Sequence, residues 1–234
     1  MYCFIGNSHV DQFNIPSYSS RTGQPIDRIH CMGASVKGLM NSNSVSGLRS
    51  MILDYQSNNP SSKLVFFLGQ VDLDFGYYYK CVKDNVKYDM REYIDNLVSL
   101  YEMFLSTYIT NAFTVIGINP SVIRDIRHNY NVSFQCPNGE TGFYSEVNRD
   151  LRFEDVGHIY SDSLETRCMF TKMFNQALAV MCKRRHFNFI DISPVLFDGN
   201  SVLKSKYVPD GEMDHHLKPT ADTDMLEFIV PLLK

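Results

Sequence analysis

The sequence predicts an α/β protein, a three-layer α/β/α sandwich in which a five-stranded parallel sheet is covered by helices on both faces. Three observations carry that expectation. Five short runs of apolar, β-branched or aromatic residues recur along the chain, and stretches of helical period fall between them. No linker, repeat or low-complexity tract divides the 234 residues, so 1–234 reads as one domain.

The first run, Tyr2–Ile5, leads into Gly6-Asn7-Ser8. Ile26–Cys31, Leu64–Leu68, Phe113–Ile118 and Phe187–Ile192 follow. Each is too short for a free-standing helix and is bounded by Gly, Pro, Asn or Ser, which suits buried strands. Val45–Gln56 is the first long helical candidate. Met90–Tyr108 sets Ile94, Leu97, Tyr101, Phe104, Leu105 and Tyr108 on one face. Asp162–Arg185 opens with Asp162 and Glu165 at capping-box spacing and turns Phe170, Met173, Phe174, Ala177, Leu178 and Met181 inward. A last helix follows Pro219 and runs to about Val230. The stretch from Pro120 to Asp155, about 120–160 in all, breaks the rhythm and reads as a functional or capping excursion. Strand–helix alternation of this kind implies a flavodoxin-like sheet, with ligands at the carboxyl ends of the strands near the switch point.

Composition narrows the function classes. Hydrophobic residues make up 44% and charged residues 21%, enough for a large core. The net charge of −4 leaves no basic surplus for phosphate contacts, so a nucleic-acid partner is not expected. Cys3, Cys31, Cys81, Cys136, Cys168 and Cys182 are scattered without C-x-x-C pairs, which reads as buried thiols in a reducing compartment. The first strand begins at Tyr2, leaving no room for a signal peptide, and no apolar run reaches membrane-spanning length. A soluble cytoplasmic protein without membrane insertion is the expectation. Asn131-Val132-Ser133 matches a glycosylation sequon, a match that short motifs give by chance.

Ser8 stands at the carboxyl end of the first strand, where Gly6 permits a sharp turn and the hydroxyl can face the ligand crevice. Alone, it reads better as a helix cap, the default role of a serine after a strand. Three further segments change the balance. Met32-Gly33-Ala34-Ser35 follows the second strand, Phe67-Leu68-Gly69-Gln70-Val71-Asp72 the third, and Asp214-His215-His216-Leu217 precedes the last helix. In block order these resemble the SGNH (GDSL-type) hydrolase superfamily, from end to end of the chain. The resemblance implies the SGNH hydrolase fold, Ser8 as nucleophile, His216 as base with Asp214 orienting it, and the N–H groups of Ser8 and Gly33 in an oxyanion hole.

Two departures stand out. The third block carries Val71 where the family has an oxyanion-donating asparagine, and Gln70 next door is the amide that could serve instead. That block resembles the Gly-x-Ile/Val-Asp variant of SGNH-like proteins associated with surface-polysaccharide assembly. The last block has Asp214 two residues before His216, so His215 with Glu212 remains a competing register. Asp72, Tyr77 and His215 are candidate substrate contacts. Tyr77-Tyr78-Tyr79 could wall a sugar site, although three such tyrosines also pack well against loops. Lys183-Arg184-Arg185-His186 complements a helix C-terminus. Asp191 is a site residue or a turn-former before Pro194, and Arg21, Arg124, Arg127 and His128 are loop contacts without a motif. Adjacent His215 and His216 would need further ligands to hold a metal, and neither Asp72 and Asp74 nor His158 is spaced with them, so no metal and no cofactor is expected.

The function implied is acyl transfer. Water resolving the acyl-enzyme makes an esterase, most plausibly a carbohydrate deacetylase; a sugar hydroxyl makes an O-acyltransferase. The substrate is a small-molecule or glycan ester. The alternative is a non-catalytic SGNH-fold domain that binds a glycan or serves a neighbouring glycosyltransferase in polysaccharide biosynthesis. A flavodoxin-like nucleotide binder is a third option, and lacks a Gly-rich phosphate loop. Oligomeric state leaves no mark on these motifs.

Overall fold

The computed structural model describes residues 1–123, 153–198, 203–210, 215–218 and 224–233. Five strands, β1 (Tyr2–Gly6), β2 (Ile26–His30), β3 (Lys63–Phe67), β4 (Phe113–Ile116) and β5 (Asn188–Ile190), form one parallel sheet in the order β2-β1-β3-β4-β5. This is the expected sheet. Cys3, Phe4 and Ile5 of β1 are all fully buried, as a central strand covered on both faces requires.

The α-helices of five residues or more among those described are α1 (Ile15–Thr22), α2 (Val36–Met40), α3 (Leu48–Asn58), α4 (Tyr77–Asp84), α5 (Met90–Tyr108), α6 (Leu164–Arg185) and α7 (Asp224–Ile229). Right-handed crossovers send the β1-to-β2 connection over one face and the later connections over the other. Accordingly α2, α5 and α6 pack side by side, while α1 is tied to α7 by an Arg21–Glu227 ion pair. Between the layers Phe66 meets Tyr101, Phe104 and Phe113 edge-on. That geometry suits the positive ring edges and negative ring faces.

Several boundaries differ from expectation for local reasons. The α3 helix starts at Leu48, because Gly47 is left-handed (φ +63°) and its carbonyl accepts the first helical bond, from Met51. The cap of α6 is Ser163, whose hydroxyl accepts the Thr166 N–H at 3.2 Å. Asp162 instead takes the Tyr78 hydroxyl at 3.1 Å and the Lys87 ammonium at 2.9 Å. Strand β5 stops at Ile190 because the Asp191 carboxylate accepts the Ser193 N–H at 2.9 Å, the turn-forming role. Arg184 and Arg185 at the end of α6 both pair with Glu102 of α5.

Most of the Pro120–Asp155 excursion lies outside the described residues, with its sequon, Cys136, Arg124, Arg127 and His128. The five described cysteines are free thiols. No helix among the described residues is long and apolar enough to cross a membrane.

Candidate active site

The register levels the carboxyl ends of three neighbouring strands. Gly6 stands opposite His30 on one side and Phe67 on the other. The turns that leave these ends carry Ser8, Gly33 and Gly69-Gln70-Val71-Asp72, so all three motifs emerge at one edge of the sheet, at its switch point.

The first turn is built by Asn7. Its backbone stays extended and its side-chain oxygen accepts the His9 N–H at 3.0 Å, so Asn7 rather than Ser8 caps the 3-10 turn Ser8–Phe13. That leaves the Ser8 hydroxyl for another partner. The Asn7 amide also donates to the Ala34 carbonyl at 3.4 Å, and Cys31 N–H donates to the Gly6 carbonyl at 3.0 Å. Both bonds lash the loop holding Gly33 to the Ser8 turn. Gly33 is left-handed (φ +65°), a conformation that costs glycine nothing.

The partner of Ser8 is His216. Its Nε2 lies 2.7 Å from Ser8 Oγ, across 208 residues of sequence. The competing ring, His215, packs instead edge-on against Phe75 (centroids 5.1 Å apart) and against His216. Successive side chains leave the backbone in different directions, so one histidine meets the serine. Asp214, expected behind His216, and Glu212 lie outside the described residues.

Four expected contacts turn out otherwise engaged. Gln70, expected at the oxyanion, is 1% exposed and donates its amide to Asp74 at 2.6 Å. Asp72, expected to meet substrate, caps α2: its carboxylate accepts the N–H groups of Val36 at 2.7 Å and Lys37 at 3.3 Å. Tyr77 is buried, with its hydroxyl on the Tyr88 carbonyl at 2.7 Å, and Tyr78 stacks on Tyr160. Tyr77 and Tyr78 therefore belong to the core. Burial pushes the Asp72 and Asp74 carboxyls up to about 6, against the hydrogen bonds from Val36 and Lys37 in one case and from Gln70 in the other.

Asp72 begins a five-residue π-helical turn, Asp72–Gly76, that swings Phe75 towards His215. Gly69 permits it: φ is +127°, and a Cβ there would sit 2.4 Å from the Phe174 ring. Val71, Phe75 and Ile123 form a small apolar cluster separate from the main core. Val71 therefore offers the site a hydrocarbon surface where an asparagine would offer an N–H.

The residue that sequence reasoning missed is His9. It is fully buried and lies between the two ends of the site. Nδ1 is 2.9 Å from Asn7 Oδ1, Nε2 is 3.1 Å from the His215 carbonyl oxygen, and the ring centroid is 4.7 Å from that of His216. Burial, reinforced by the neighbouring His216 and His215, holds its pKa well below the usual histidine value. The available signal was adjacency to Ser8. A groove of about 460 Å³ between α5 and α6, lined by Arg91, Glu102, Met173 and Arg184, lies on the helical face and touches none of these residues.

The sequence matches no family model and, with significance, no curated protein. The fold, however, has solved counterparts. The aryl esterase of M. smegmatis superposes over 100% of this chain and 99% of its own, with a TM-score of 0.53 and 9% identity. A protein of the G-D-S-L family from Desulfitobacterium hafniense superposes over 99% and 98% (TM-score 0.53, 11% identity). One assigned as an acylhydrolase from Bacteroides fragilis does so over 98% and 84% (TM-score 0.53, 14% identity).

Proposed function

We propose that this chain, which has the SGNH-hydrolase fold, is a serine-dependent acyl-ester hydrolase or O-acyltransferase whose substrate is an acetylated carbohydrate. The observation that carries the reading is the 2.7 Å contact between Ser8 Oγ and His216 Nε2 at the carboxyl edge of the sheet. A serine needs such a base to become a nucleophile near neutral pH.

In this reading Ser8 Oγ attacks the ester carbonyl while His216 Nε2 takes its proton. His216 returns the proton to the departing alcohol, leaving an acyl-serine. Water, or a sugar hydroxyl activated by the same imidazole, then attacks the acyl-serine, and the proton passes back to Ser8. The N–H groups of Ser8 and Gly33 hold the oxyanion. Asp214 orients the imidazole, the role the block-five resemblance assigns to it. Phe75, edge-on to His215, sets an apolar ring beside the second histidine. The carbohydrate acceptor rests on the resemblance of Gly69-Gln70-Val71-Asp72 to the polysaccharide-assembly variant.

One observation favours the rival, a non-catalytic glycan- or partner-binding domain. Val71 supplies no side-chain donor, and losing one oxyanion donor costs on the order of 10²–10³ in rate. A fluorophosphonate probe separates the two. Labelling of the intact chain that disappears in Ser8→Ala supports the enzyme; equal, background labelling of both transfers the case to the binding domain.

A further inference from the structure

We propose that His9, His215 and His216 form a binding site for a zinc-class divalent cation, and that its occupation withdraws His216 from Ser8. The second half rests on the serine-hydrolase reading; the first does not.

Each of the three histidines offers a ring nitrogen, and the three nitrogens lie within 4.8 Å of one another. Three imidazoles around one open position are a common zinc donor set, with Zn–N distances of about 2.0–2.1 Å. Tetrahedral coordination at that distance brings nitrogens to about 3.4 Å apart, so closure needs a movement of roughly 1.5 Å. His9 is the buried member, held inside the nucleophile turn, while His215 and His216 are half-buried.

The hydrogen bonding of His9 independently calls for a cation. Both its ring nitrogens face oxygens that accept: Asn7 Oδ1 at 2.9 Å and the His215 carbonyl at 3.1 Å. Turning the Asn7 amide over does not help. Its oxygen already accepts the His9 N–H at 3.0 Å, and its nitrogen donates to Ala34. A neutral imidazole has one N–H, so one of the two contacts sets lone pair against lone pair. His9 is fully buried, and a second proton would place a charge there out of reach of water. A metal ion on Nε2, with the His215 carbonyl drawn aside as its segment closes on the ion, resolves the conflict and leaves Nδ1–H to donate to Asn7 Oδ1. Such an outer hydrogen bond is what orients metal-ligating histidines elsewhere.

The consequence for Ser8 follows from the electron pair. The proposed site takes His216 through Nε2, the nitrogen that faces Ser8 Oγ, and that lone pair cannot accept the serine proton and coordinate zinc at once. A cation in this cluster therefore removes the base without unfolding anything, and a chelator restores it.

Calorimetric titration of the intact chain with zinc sulfate tests the site with no substrate present. The expected result is one zinc per chain, weakened at least tenfold in His215→Gln and in His9→Gln. The partly exposed His215 keeps the test sound should the buried His9 variant fail to fold by circular dichroism. Absence of binding up to 100-fold molar excess of zinc, or binding that survives both substitutions, overturns the site. Fluorophosphonate labelling of Ser8 with and without zinc tests the second half. Labelling that falls with occupancy and returns with EDTA supports it; labelling unchanged or accelerated by bound zinc overturns it. A metal-free chain that never labels refutes the hydrolase reading, while the calorimetry still decides the cation site.

Discussion

Asp72→Asn measures the joint between the third-strand turn and the loop holding Gly33. Asp72 is 1% exposed, and two effects compete for its charge. Burial disfavours the carboxylate, while the N–H groups of Val36 and Lys37 and the Lys37 ammonium favour it. Burial wins, and the carboxyl titrates at about 6 rather than 3.8. At about 1.36 kcal/mol per pH unit, that rise amounts to about 3 kcal/mol. The sign follows from the direction. A carboxyl with a raised folded pKa contributes stability that is intact below about pH 4 and lost as pH rises through about 6. Asparagine does not titrate, but its amide nitrogen cannot accept, so it keeps only one of the two N–H bonds that the carboxyl oxygens take from Val36 and Lys37. The stability of the variant relative to wild type should therefore rise by about 3 kcal/mol between pH 4 and pH 7.5. Asp74, which burial also holds near 6, titrates in both proteins and cancels. Urea unfolding at the two pH values, with equal m-values, reads the difference. A stability difference that stays the same at both pH values refutes the reasoning, because the carboxyl would then carry no raised pKa in the fold.

Three further outcomes are expected. Ser8→Ala, His216→Ala and the double variant should lose nearly the same share of p-nitrophenyl acetate turnover, since groups acting as one unit are not additive; additive losses would separate their roles. Val71→Asn should raise that turnover, by up to about 10²-fold, if an oxyanion donor is what the site lacks. It should also lower stability by about 1–2 kcal/mol, by placing an amide among Phe75 and Ile123; unchanged turnover in a folded variant would mark the site as vestigial. Gly69→Ala should destabilise by about 3 kcal/mol or more, because a left-handed backbone and a 2.4 Å approach to Phe174 oppose the same methyl. A melting temperature within 2 °C of wild type would refute that.

Sequence alone determined the parallel sheet, its five strands and the order in which the motif turns leave it. Those features are written locally: short strand-forming runs, 3.6-residue periodicity and turn residues at their ends. It therefore delivered Met90–Tyr108 with its buried face, and the turn Gly6-Asn7-Ser8. It identified boundaries less well where one side chain decides, as at Ser163 and Asp191, because neighbouring polar residues compete for the same backbone N–H. Tertiary structure decided the partners. Ser8 and His216 are 208 positions apart, His9 and His215 are 206 apart, and Asp72 caps a helix 36 residues upstream. No periodicity spans such separations; strand order and register bring these groups together. Polar side chains then turn to whichever partner burial leaves them. That is why Gln70 serves Asp74 and Tyr77 serves Tyr88, although both stand in or beside the motif that led to them.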